Sequence, residues 1–132
     1  SAEQVPAGSP AYFYNEGFLA SQKSDCLLRL RKPNEAATSA KAGLALFDKR
    51  FVGSRAFCTL HLGNARLQSG EIDEAARLVS DAAGLAVQTR SARLVKELRT
   101  TRGHMQPWQN THAVKALDDQ LAAYGLVTSS AT

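Results

Sequence analysis

The chain has 132 residues, a formal net charge of +4, 44% hydrophobic residues and 21% charged residues. That length suits one domain with a core of its own, and that composition excludes a wholly disordered chain. The charge is too mild for a dedicated nucleic-acid binder, no apolar run approaches the roughly 18 residues of a membrane span, and no charged-then-apolar leader opens the chain, so a cytoplasmic protein is the expectation.

Residues 1–9, SAEQVPAGS, are small and polar and read as a linker or disordered end. Pro10 suits the first position of a helix, where its missing N–H costs nothing. From there to about Arg31 the spacing predicts a helix with Leu19, Cys26, Leu27 and Leu30 as its apolar stripe. Lys32, Pro33 and Asn34 break it. A second helix follows to about Phe47, with Ala36, Ala40, Gly43, Leu44 and Phe47 on one side. Ser54 is a candidate cap for a third helix that carries Phe57, Leu60, Leu62 and Leu67 and stops at Ser69 and Gly70. Glu71, Asp73 and Glu74 complement the dipole of a fourth helix, whose buried stripe is Ala75, Leu78, Val79, Ala82 and Ala86. A fifth starts near Ser91 with Leu94, Leu98 and Met105 inward. After a loop over Gly103–Asn110, a last helix spans about Thr111 to Tyr124, with Val114, Leu117, Leu121 and Tyr124 inward; Gly125 ends it, and residues 126–132 read as a disordered tail. No segment alternates with period 2. The fold class is all-α, with about six helices pairing as antiparallel hairpins, first with second, third with fourth, fifth with sixth.

The chain resembles itself when slid by 39 residues. Residues 27–46 then fall on residues 66–85: Leu28 meets Leu67, Glu35-Ala36-Ala37 meets Glu74-Ala75-Ala76, Ala40 meets Val79, Gly43 meets Ala82 and Leu46 meets Leu85. Small residues at Ala36 and Ala75 let the two helices of a hairpin approach closely, and those at Gly43 and Ala82 admit the next helix. Leu62-Gly63, Gly70, Ala75 and Ala82 stand where the tetratricopeptide pattern places its Leu-Gly pair, turn glycine and small second-helix residues. The first hairpin departs from that pattern, with Ser24 for the helix glycine and Lys32-Pro33 in the turn, and the 39-residue spacing exceeds the usual ~34. Over residues 10–125 the resemblance implies a short, right-handed, tetratricopeptide-like solenoid. The segments RLRKPNEA, FVGSRAFCTLHLGNARLQSGEIDEAARL, TRSARLVKELR and PWQNTHAVKALDDQL are similar to the C-terminal region of bacterial regulators with an N-terminal helix-turn-helix domain of the Xre type. That resemblance implies a ligand- or partner-binding and assembly domain in transcription regulation. DNA would be contacted only through a domain absent from these residues. The alternative is a stand-alone protein–protein adaptor.

Catalytic chemistry finds no support in the motifs. His61, His104 and His112 lie on three elements with no carboxylate at a telling spacing and read as surface or loop histidines. No phosphate loop, nucleophile elbow or paired-cysteine spacing is present, so no catalytic, metal or cofactor residue is assigned. Cys26 and Cys58 read as buried free thiols. The fifth helix carries Arg90, Arg93, Lys96, Arg99 and Arg102 off its apolar line, which reads as a solvated basic face. The tetratricopeptide resemblance implies a concave groove lined by the first helix of each hairpin. In the first hairpin Phe18, Ser21, Asp25 and Arg29 would face it; in the second, Phe57, Leu60, Asn64 and Gln68, with Arg93 nearby. This groove is the expected site for a peptide or small-molecule effector. Tyr12, Phe13, Tyr14 and Phe18 gather rings at one end of the array, where an uncapped apolar face makes a homodimer contact the expectation.

Overall fold

The computed structural model describes residues 9–126; of the linker expected at 1–9 and the tail expected at 126–132, residues 1–8 and 127–132 lie outside the described residues, whereas Leu126 packs against the core. It is built of six α-helices: α1 Pro10–Arg29, α2 Pro33–Leu46, α3 Val52–Gln68, α4 Ile72–Ala86, α5 Ala92–Gly103 and α6 His112–Ala123, with a short 3-10 turn at Gln106–Trp108. Among the described residues there is no strand, and no helix is long and apolar enough to cross a membrane.

Helix boundaries follow local chemistry. Ser9 caps α1, its Oγ accepting from the Tyr12 N–H at 3.1 Å, so this residue belongs to the helix start. Ser91 and Thr111 cap α5 and α6 in the same way. Ser54 does not cap α3; the helix starts two residues before it, at Val52. The α2–α3 connection is held instead by Arg55, whose Nη1 donates to Leu44 O at 2.9 Å and Phe47 O at 2.8 Å, satisfying carbonyls that the end of α2 leaves open. Three helix ends close with one hydrogen-bond pattern. Glu71 N–H donates to Arg66 O and Gly70 N–H to Leu67 O; Leu126 and Gly125 repeat this on Leu121 and Ala122; Lys32 and Arg31 repeat it on Leu27 and Leu28. The residue in the left-handed region is Gly70 (φ 81°) after α3, Gly125 (φ 71°) after α6 and Arg31 (φ 59°) after α1.

Packing within the first two hairpins is tight because the contacts are small. Ala36, Ala40, Ala75 and Ala82 are all fully buried. A Cβ built on Gly43 would lie 2.8 Å from Cys58 Sγ, so only glycine lets α2 meet α3 there. The internal repeat persists in the contacts. Gly63 of α3 lies against Leu78, Val79 and the Ala75 carbonyl of α4. Its equivalent in α1, Ser24, is fully buried and its Oγ donates to Ala36 O at 2.8 Å. Serine replaces the pattern's glycine here because its hydroxyl is spent on the neighbouring helix; Ser39 Oγ does the same towards Ala20 O.

Two expectations need correction. The stripe expected on α1 is not its buried face: Leu19 is 62% exposed and Leu30 64%, Cys26 is exposed, and only Leu27 of the four is buried. The α1–α2 contact runs instead through Gly17, whose carbonyl lies by Gly43, Ser24, which bonds Ala36 O, and Leu27 and Leu28, which pack on Ala36, Ala37 and Ala40. The third hairpin also differs. α6 packs chiefly on α4, and α5 packs on α4 and α3, so the fifth and sixth helices are not the close pair expected. The eight residues between them include a 3-10 turn, and fully buried Met105 joins Leu94, Leu98, Val114, Leu117 and Leu121 in the core under α4. α5 and α6 are tied at the surface by Arg102, which forms two parallel hydrogen bonds to the Asp118 carboxylate, one of them 2.9 Å long.

Candidate functional site

A cleft of about 470 Å³ opens between α1, α3 and α5. α1 contributes Asp25, Leu28 and Arg29, and the turn after it contributes Arg31. α3 contributes His61, Asn64, Leu67 and Gln68. α5 contributes Glu97, Thr100 and Thr101, with His104 and Trp108 beyond its end. The volume suits a small ligand or a short peptide segment, and polar groups converge from three elements.

The amides of α3 hold the walls. Asn64 Nδ2 donates to Thr101 Oγ1 of α5 at 3.0 Å and to Leu60 O of its own helix at 3.3 Å. One turn on, Gln68 Nε2 donates to Leu28 O of α1 at 3.0 Å. Gln68 Oε1 is buried and accepts no hydrogen bond from a described residue. Leaving a buried acceptor unpaired costs about 1–3 kcal/mol.

His61 departs from its expected surface place. It is 7% exposed and lies against the cleft. Burial lowers its pKa; Asp25 acts against that shift and Arg93 adds to it. The imidazole is therefore neutral near pH 7 and can both donate and accept. Cys58 is the buried thiol of the two, and burial raises its pKa, which suppresses the thiolate.

The expected groove residues divide. Asn64, Gln68, Asp25 and Arg29 line the cleft. Leu60 is 1% exposed and lies inside the main core, away from the cleft surface. Phe57 and Arg93 form their own pair, with the guanidinium 4.6 Å above the ring centroid. Phe18 and Ser21 do not line the cleft.

The basic face expected on α5 is largely engaged. Arg93 covers Phe57, Arg99 Nε donates to Leu126 O, and Arg102 pairs with Asp118. The residues that α5 turns to the cleft are Glu97, Thr100 and Thr101, so cations reach the cleft from α1 and its turn rather than from α5. Sequence reasoning missed Arg31, Thr101 and Trp108 as cleft residues. A signal for Arg31 existed: under the 39-residue shift it falls on Gly70.

At the N-terminal end of α1, Tyr14 packs on Phe51 (ring centroids 5.1 Å apart) and on Phe47 (5.6 Å). A more open hollow of about 640 Å³ lies beside it, lined by Tyr14, Asn15, Arg50, Phe51 and Ser54. Phe13 and Phe18 stay exposed, at 40% and 47%. No group of three His, Cys, Asp or Glu side chains suited to a metal ion occurs among the described residues. Comparison with protein-family models, with curated proteins and with solved structures finds no match to this chain.

Proposed function

We propose that the chain is a binding and assembly domain that takes a peptide segment or small organic effector in the cleft between α1, α3 and α5. We infer further that its hairpins stack as a short right-handed tetratricopeptide-like solenoid, and that it serves a bacterial helix-turn-helix transcription regulator whose DNA contact is made by a separate domain. The observation that carries the reading is the convergence on one cleft of polar side chains from three elements, Asp25 and Arg29 of α1, His61 and Asn64 of α3, and Thr100 of α5, with Arg31 at its edge. Extended backbone offers N–H and C=O groups at a spacing such side chains accept, while Leu28, Leu67 and Trp108 cover side chains.

The test is a titration of ¹⁵N-labelled chain with pooled acetylated, amidated octapeptides. Shifts are expected on cleft residues, and Asn64→Ala is expected to weaken binding by about tenfold or more. It also costs about 1 kcal/mol of stability, because Thr101, which is buried, loses its partner. Shifts gathered instead around Arg77 and Asp81 of α4 would assign the binding to the opposite side and sink the proposal.

Assembly is the second part of the reading, and its proposed occupant is a second copy of the chain. Under the 39-residue shift Leu19 falls on Cys58, which is fully buried where α2 meets α3. The first hairpin carries Leu19, 62% exposed, at the equivalent place, and Phe13 and Phe18 are exposed on the same helix. Paired helix-turn-helix domains read paired half-sites, which suits a dimer. Light scattering is expected to give a dimer for the parent and a monomer for the Phe13→Ser, Phe18→Ser double variant. A parent that stays monomeric at millimolar concentration rejects it.

A further inference from the structure

Arg31 occupies a backbone position that costs the chain stability. The same hydrogen-bond pattern ends α1, α3 and α6, and the residue in the left-handed region is Gly70 in the second case and Gly125 in the third. Only the first uses a side chain there, at φ 59°. A Cβ in that region crowds the following carbonyl, which is why glycine is favoured. The internal repeat sharpens the contrast, because Arg31 and Gly70 are equivalent under the 39-residue shift. The arginine is not spent on the fold: it makes no ion pair with a described residue, whereas Arg29 beside it is shared with Asp25 at 3.3 Å. It lines the cleft.

Arg31 and Gln68 sit on one local network. Leu28 O accepts the Arg31 N–H, and it also accepts Gln68 Nε2. The Gln68 amide is thereby fixed against the turn that carries Arg31. A guanidinium that no side chain among the described residues occupies selects a carboxylate. Glu97 on the α5 wall disfavours an acid on that side, which gives the ligand a direction.

We propose that the α1–α2 turn end of the cleft is an acidic-peptide subsite, in which Arg31 holds an Asp or Glu carboxylate. This rests on the reading of the cleft as a peptide site and names the class of peptide. It also gives a reason for an arginine at a glycine position: the chain gives up some stability for a charge aimed at its ligand.

The chain contains one tryptophan, Trp108, and it lies at the cleft, so its fluorescence reports occupancy. The probes are three pools of acetylated, amidated octapeptides, randomised except for a central pair that is Asp/Glu, Asn/Gln or Lys/Arg. The parent is expected to bind the acidic pool about tenfold more tightly than the amide pool. Arg31→Gly is expected to lose that preference, with binding of the acidic pool weakened by about 10- to 100-fold, the range of a lost charge-assisted bond. Its Tm should rise by about 2–5 °C, because glycine relieves the backbone, so loss of binding cannot be ascribed to unfolding. Lys41→Ala removes the same charge from an exposed position on α2 and should leave the preference intact. Equal binding of the amide pool, a preference that survives in Arg31→Gly, or equal loss in Lys41→Ala would each overturn the acidic subsite while the cleft remained a peptide site. Silence of Trp108 towards all three pools would overturn both.

Discussion

Ala75→Arg is expected to abolish the cooperative thermal transition of the chain, or to lower its midpoint so far that the protein is largely unfolded at 37 °C. Ala75 is fully buried, and its carbonyl lies beside Gly63 in the closest part of the α3–α4 contact. A long cation there must either displace α4 or sit unpaired in an apolar contact. Burying an unpaired charge belongs to the few mechanisms that cost about 4–5 kcal/mol or more, a large share of a total that for most domains is about 5–15 kcal/mol. The second hairpin touches every other helix pair through α3 and α4, so the damage spreads to the whole chain. Circular dichroism melting settles it. A midpoint equal to the parent's would mean that the α3–α4 register is wrong.

The second large effect is expected at Leu60. Leu60→Ala should cost about 2–5 kcal/mol, the range for deleting a buried leucine, read as a lowered urea midpoint. Its side chain is among the largest fully buried ones and lies in the cluster with Val79, Leu94 and Leu98. Under conditions where the variant is folded, peptide binding should match the parent, because Leu60 does not reach the cleft surface. The pair of results separates core from site. A variant of near-parent stability with weakened binding would return Leu60 to the groove.

Much of the scaffold is legible in the sequence for identifiable reasons. α4, α5 and α6 each carry their buried residues at helical spacing, acids stand in the first turn of α4, and Ser91 and Thr111 cap α5 and α6. α1 is misread because long aliphatics usually mark a buried face, whereas here the contact is made by Gly17 and Ser24, and Leu19 and Leu30 are left outside. The pairing of the last two helices depends on how far a 3-10 turn spreads them, which no local pattern encodes.

The cleft is legible only where the repeat reaches it. Asn64, Gln68, Asp25 and Arg29 line it, as the tetratricopeptide resemblance implies for the first helix of each hairpin. Leu60 lies four residues before Asn64, and the position expected to point into the groove points into the core instead. Arg93 is drawn onto Phe57, a contact between helices that spacing along α5 does not reveal. His61 reads as an ordinary histidine until packing of α1 and α5 over α3 buries it.

The two amides of α3 have a mechanical consequence. Asn64 is bonded towards α5 and Gln68 towards α1, one helical turn apart, so the middle helix is tethered to both flanking walls from a single face. Any movement that widens the cleft must stretch one or both of these bonds, and any ligand that competes for either amide loosens the wall it was holding. Opening angle and occupancy then cease to be separate quantities. On the proposed reading, a ligand in the cleft would change the tilt of α1 against α5.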